Sequence, residues 1–297
     1  MKKHLKAFKL NLKIVFNTMW KIASFLFGVI SVILAFITWD DVGLKEIKHR
    51  ILLFFIIILI SFVLAAIYIV FIKRSRTIWK KGNRKIKITY GDLLKRAFPY
   101  RKSSKKIVVI PVNTTFDMIV EEDIEKVCKP LVSPKTIHGQ WVKTMISRGE
   151  TVENINQRVS DYFALCNKSP TKTLSENEKH RGNLDCYEIG TIAVLNGENN
   201  VIYFLLALSE FDKDNKAHTT KNDLIDCIKK LIEFYDSHGQ GFKLYLPVMG
   251  TGLSRTDLTH DEALNIIVNM FELHSDQING KINIIIYKND KDKVSVY

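Results

Sequence analysis

The chain is poor in cysteine. None of its four cysteines (Cys128, Cys166, Cys186 and Cys227) forms a C-x-x-C pair or has a histidine at zinc-like spacing. This argues against a zinc site and for buried free thiols in a reducing compartment, as in a cytosolic soluble part. There is no Walker sequence, no H-x-x-x-H pair and no nucleophile triad, so no metal centre and no catalytic residue can be named. His138, His180, His218 and His260 have no Ser, Cys or Asp at a telling distance, and surface or cap positions are expected for them. Acidic residues are scarce in the first third. Residues 1–106 carry 23 Lys and Arg against 4 Asp and Glu, whereas residues 107–297 carry 21 against 27. The net charge of +13 therefore belongs to the N-terminal part. That basic excess borders apolar segments. It points to membrane topology and anionic lipid heads, and no nucleic-acid partner is expected.

Charge is missing altogether from Ile51 to Ile72, which also lacks Pro and Gly. As a helix, this stretch would span about 33 Å, enough to cross a hydrocarbon core of about 30 Å. A second apolar run, Ile22 to Trp39, follows an amphipathic entry with Lys13, Asn17 and Lys21 among Phe16, Met19 and Trp20. A cleaved signal peptide also starts basic and turns apolar. Here no small-x-small site precedes Trp39, and the run exceeds a typical signal core. Two transmembrane helices, about 14–39 and 51–72, are therefore expected within an N-terminal segment 1–82 that ends in a basic linker. Five basic residues precede the first helix (Lys2, Lys3, Lys6, Lys9, Lys13) and five follow the second (Lys73, Arg74, Arg76, Lys80, Lys81). The short link holds three, Lys45, Lys48 and Arg50. This asymmetry predicts a multi-pass membrane protein with both termini and the soluble domain in the cytoplasm. The spans carry no buried ionisable residue; Lys21, near an end, can snorkel to the interface. A two-helix hairpin cannot enclose a polar path alone, so conduction would need several copies. The helices by themselves read as an anchor.

Residues 83–297 alternate strand and helix patterns. Strands are expected at 84–90, 105–113, 189–195, 200–208, 241–248 and 281–287, with a hairpin turn at Asn196–Asn199. Helices are expected at about 91–98, 140–145, 219–235 and 259–274, the last opened by a Thr259–Glu262 capping box. Residues 147–186 are polar and cannot be assigned; they could form a lid or a surface loop. The fold class is α/β with a mixed sheet flanked by helices.

In such sheets ligands sit beyond the carboxyl ends of strands. Two ends are candidates. After the IVVI strand, Asn113, Thr114, Thr115 and Asp117 can meet sugar hydroxyls or phosphate; alternatively Asn113 and Asp117 only cap the turn. After the later LYLPV strand comes Met249-Gly250-Thr251-Gly252-Leu253-Ser254-Arg255. Its glycines permit close backbone approach, successive amides can form an anion nest, and Ser254 and Arg255 can add donors. A lone G-x-G can equally be a tight turn.

These stretches together resemble a macro domain. Val112-Asn113 matches its V-N loop, and Gly250-Thr251-Gly252 its G-x-G loop. The usual N-A-A-N is replaced by Asn113-Thr114-Thr115-Phe116-Asp117, which weighs against ADP-ribosyl hydrolysis. The V-N-x-x-F-D pattern, with Ile137-His138-Gly139-Gln140 and Ile189-Gly190-Thr191, resembles a divergent subgroup from bacterial anti-phage defence. With two N-terminal membrane helices, the architecture is similar to the membrane effectors of type II Thoeris systems. The resemblance implies a non-enzymatic, ligand-binding effector. It adds Gly139, Gly190 and Thr191 to the ligand-binding residues. It implies an ADP-ribose derivative as ligand, histidine-ADP-ribose made by a TIR-domain partner, with no other cofactor. It also implies self-association in the lipid bilayer on ligand binding, membrane disruption and abortive infection. A membrane-anchored hydrolase of ADP-ribosyl or phosphoryl groups is the alternative.

Overall fold

A computed structural model describes residues 2–121, 131–211, 217–251 and 257–297. It divides into two compact units. One comprises residues 1–75 with 289–297, the other residues 76–288. The division thus falls at 75/76, not at 82/83, and the last nine residues group with the N-terminal helices.

The first unit is a helical hairpin. α1 (Lys2–Leu10) is amphipathic, α2 (Leu12–Leu34) and α3 (Ile47–Ile67) are apolar, and α3 continues into a π-turn, Tyr68–Ile72. Asn11 marks the break between α1 and α2; its Nδ2 donates to Ala7 O at 2.8 Å. Phe16 meets Phe62 at 5.7 Å and Phe27 stacks on Phe54 at 5.2 Å, so α2 and α3 run antiparallel. Small residues lie at this seam: Ala23, Ser61 and Ala65 are fully buried. Facing away, Phe25 and Phe36 are 70% and 86% exposed. Two helices are long and apolar enough to cross a membrane, Leu12–Leu34 and Ile47–Ile72. Their apolar sides are bare, as lipid contact would require.

The second unit is a mixed sheet between helices. Its strands run β1 (Ser75–Lys81), β2 (Arg84–Gly91), β3 (Lys106–Asn113), β6 (Ile192–Asn196), β7 (Val201–Phe211), β9 (Lys243–Pro247) and β10 (Lys281–Tyr287), in the order β1-β2-β10-β9-β3-β7-β6. A short β8 (Ala217–His218) pairs with β7, and β4 (Lys172–Thr173) with β5 (Asp185–Cys186) makes a separate pair. Strands β2, β10, β9, β3 and β7 are mutually parallel, and β6 is antiparallel to β7. The basic linker expected at 73–83 is largely strand β1, which turns back through Gly82 (φ +58) into β2. Its sequence SRTIWKK lacks the alternation that marks a strand with one buried face.

The period of two in β7 explains the layers. Tyr203 points to one face and meets Trp141 edge-on at 5.3 Å; Phe204 points to the other and meets Phe234 at 5.2 Å. On the first face lie α4 (Leu94–Ala97), α5 (Ile137–Ser147) and α6 (Val152–Leu165), packed on Val108, Ile110, Val112 and Leu205. α7 (Lys221–His238) carries Phe234 against the second face, and α7 and α8 (His260–Leu273) pack together there. Capping boxes start both: Thr220 with Asp223, and Thr259 with Glu262. The stretch 147–186 is therefore not a plain surface loop. It holds α6, whose Ile155, Val159 and Phe163 are core, and the β4–β5 pair. Cys186 and Cys227 are buried free thiols as expected, but Cys166 is exposed at the end of α6, where no apolar face covers it.

Leu205 is fully buried in β7. Leu205→Ala is expected to destabilise the soluble unit by about 2–5 kcal/mol, read as a lowered melting temperature in detergent.

Candidate functional site

The parallel strands put the ends of β3 and β9 at one sheet edge. Their ladder pairs Lys106–Val108 with Lys243–Tyr245 and then stops. Beyond it, β3 stays paired with β7 out to Asn113, and β9 stays with β10 out to Pro247. The pairing between the two strands thus ends short of their carboxyl ends. It does so where the chain order reverses, the position at which open α/β sheets take ligands.

The two candidate loops follow β3 and β9. On the β9 side, Gly250 has φ +83, a conformation that favours glycine, and Met249 is buried beside it. Val248 N donates to Ile285 O at 3.2 Å, which fixes the approach to the turn. Thr251 is half-buried. Gly252, Leu253, Ser254 and Arg255 lie outside the described residues.

On the β3 side the polar side chains are turned inward. Asn113, Thr114, Thr115 and Asp117 are all buried. Asn113 Nδ2 donates to Asp117 Oδ2 at 2.5 Å and to Thr115 Oγ1 at 2.9 Å, and Asn113 Oδ1 accepts from Asp117 N at 3.0 Å. The capping alternative thus describes these side chains. A cation completes the group. Lys179 Nζ donates to Asp117 Oδ2 at 2.6 Å, Thr115 Oγ1 at 2.7 Å and Asn183 O at 2.7 Å, which uses all three of its donors. Burial pulls the Lys179 pKa below the ordinary lysine value, and the Asp117 carboxylate opposes that pull. Asn183 returns the contact: its N donates to Asp117 Oδ1 at 2.8 Å, and its Nδ2 to Phe116 O at 2.9 Å and Thr115 O at 3.2 Å.

This clamp holds a strained backbone. Phe116 sits at φ +51, unusual for a bulky residue, with its ring edge-on to Phe163 at 5.1 Å and to Tyr187 at 5.7 Å. Gly182 leaves no room for a side chain, since a Cβ there would lie 2.2 Å from Asp117 Oδ1. Lys179, Gly182 and Asn183 are the residues that sequence reasoning missed. They lie in a polar stretch without periodicity, where Gly182-Asn183 is at most a turn signal.

The remaining predicted residues lie further along the edge. In the register, Ile192 pairs with Leu206 and Val112 with Ala207, so Thr191 stands level with Val112, with β7 between them. Gly190 has φ +83 and its N donates to Ala207 O at 2.7 Å. Thr191 Oγ1 is buried and has no hydrogen-bond partner among the described residues. Gly139 has a packing reason: a Cβ there would lie 2.1 Å from Ser133 O. His138, expected at the surface, is instead buried in the first turn of α5. Apolar surroundings pull its pKa down to about 3.

The chain is similar to known proteins in sequence and in fold. The family described as "Thoeris protein ThsA, Macro domain" matches residues 86–287. The chain has a macro domain, and it belongs to this Thoeris protein ThsA family of anti-phage defence. The Thoeris protein ThsA of Bacillus amyloliquefaciens (strain Y2) is 23% identical over 268 residues, covering 86% of this chain and 81% of the relative. Among solved structures, the Oceanobacillus iheyensis macrodomain with ADP is 9% identical, with a TM-score of 0.40 over 74% of this chain and 93% of that one. The Trypanosoma brucei macrodomain in complex with ADP-ribose is 10% identical, with a TM-score of 0.34 over 69% and 65%.

Two outcomes test this description. Lys179→Met leaves a buried carboxylate unpaired and is expected to cost about 3–5 kcal/mol; adding Asp117→Asn should recover a large part in a double-mutant thermal series. The second concerns His138. The unfolded chain takes up its proton near pH 6.5, whereas the folded chain refuses it until about pH 3. The stability contributed by neutral His138 is complete above pH 6.5 and is lost as pH falls through this window. His138→Phe should flatten the slope of melting temperature against pH between about 6.5 and 4, a slope worth up to about 1.4 kcal/mol per pH unit.

Proposed function

We propose that the chain is a membrane effector that senses an ADP-ribose-derived messenger and then assembles to disrupt the bilayer. The observation that carries this is the end of the β3–β9 pairing at the switch point of the sheet, followed by the left-handed turn at Gly250, in a chain that also carries an apolar helical hairpin. Backbone amides at a glycine turn before a helix suit a diphosphate. The clamped β3 loop gives the proposed site a fixed wall, and Thr191 Oγ1 offers a further polar contact. Asn113, Thr114, Thr115, Asp117, Gly139, Gly190, Thr191 and the turn from Met249 to Arg255 are the proposed ligand-binding set. Within it, Asn113, Thr115 and Asp117 act by shaping the loop.

The messenger is histidine-ADP-ribose supplied by a TIR-domain synthase. The protein sits in the inner membrane with the macro domain and both termini in the cytoplasm. Assembly is driven by the higher affinity of the messenger for the assembled state. The Asp117 carboxylate, tied to Lys179, is not free to serve as a general base, which favours binding over hydrolysis.

Calorimetry of the full chain in lipid nanodiscs is the test. Binding of ADP-ribose, tighter for its histidine conjugate and without turnover, is the expected result. Steady release of product would move the assignment to the hydrolase reading. Gly250→Val should weaken ADP-ribose binding by about tenfold or more, because a β-branched residue resists positive φ, and the same strain should lower the melting temperature by a few degrees without abolishing folding.

A further inference from the structure

Residues 289–297 follow β10, yet they belong to the helical unit. The contacts that place them there are specific. Val294 and Val296 are completely buried. Between them, Ser295 Oγ donates to Asn11 Oδ1 at 2.5 Å, and Tyr297 N donates to Ser295 Oγ at 3.0 Å. Asn11 sits at the break between α1 and α2, and its other amide atom is already held by Ala7 O. The Tyr297 side chain packs against the cluster of Val15, Met19, Ala65 and Ile69, which joins α2 to the end of α3. Lys73 Nζ lies over the Tyr297 ring at 4.9 Å. Nine residues thus grip both helices of the hairpin at one end.

The other end of this segment is the sheet. Val248 N, at the approach to the Gly250 turn, is bonded to Ile285 O in β10, and β10 ends at Tyr287. A movement of the turn therefore pulls on the strand from which residues 289–297 emerge. β1 enters the sheet at this same edge, because it runs antiparallel to β2 and β2 is parallel to β10. A domain joined to a hairpin by one peptide can swivel about it. Here the chain passes between the two units twice, after residue 75 and after residue 288, which gives a shift at the edge a second covalent route to the hairpin.

We propose that residues 289–297 are a strap that transmits the state of the glycine turn to the base of the hairpin. The ligand half of this proposal rests on the sensor reading above; the mechanical half does not. The test compares the full chain in lipid nanodiscs with Val294→Asp/Val296→Asp and with the milder Ser295→Ala. In the wild type, amides of 294–297 and 11–19 should exchange slowly with deuterium. The double variant should speed both by about tenfold or more, Ser295→Ala by less, with α7 and α8 unchanged. Unchanged exchange at 11–19 in the double variant overturns the strap. In a second arm ADP-ribose is added. The double variant should bind it like the wild type but show no ligand-dependent cross-linking between copies. If it cross-links like the wild type, the strap falls and the sensor reading stands. If the wild type binds no ADP-ribose, the sensor reading falls and transmission falls with it, while the exchange arm still decides the mechanical tie.

Discussion

The ion pair between Lys179 and Asp117 is the contact on which the candidate site depends. Both side chains are almost wholly buried, at 2% and 1% exposure. Two charges withdrawn from water this far are tolerable only when every donor and acceptor finds a partner. Here Lys179 spends its three protons on Asp117, Thr115 and Asn183, and Asp117 gathers donors from both sides of the loop. The shape of the β3 loop, including the strained Phe116, is the shape that satisfies these charges. An element far along the chain thus sets the shape of the loop after β3.

The fold was legible where the apolar pattern was strong. The IVVI strand, the KINIIIY strand and the α7 and α8 helices announce themselves by period and caps, and the structure places them within a few residues. Strand β1 was not legible, because its Arg and Lys residues read as a membrane flank. α6 was hidden among polar residues, since only Ile155, Val159 and Phe163 turn toward the core. At the site, the two loops could be found from glycine, asparagine and strand ends. The inward turn of Asn113, Thr115 and Asp117 could not, because it needs a cation from more than sixty positions away. His138 likewise showed nothing local to distinguish a surface imidazole from a buried one.

The hairpin and the sheet unit differ in where their large apolar side chains lie. In the sheet, apolar residues alternate or run together because both faces are covered by helices. In the hairpin, Ala23, Ser61 and Ala65 are buried at the seam beside Val15, Met19 and Ile69, while Phe25, Phe55 and Leu59 face outward.

Strand β1 bears on how copies can meet. It forms one border of the sheet, and Arg76, Lys80 and Lys81 are exposed along it. An open strand is otherwise a template for the backbone of a neighbour. Three cations on seven residues make that approach repulsive and leave it wet. Growth of a continuous sheet from molecule to molecule is thereby discouraged at this border, and an assembly of these chains would be a cluster of discrete domains, not a fibre.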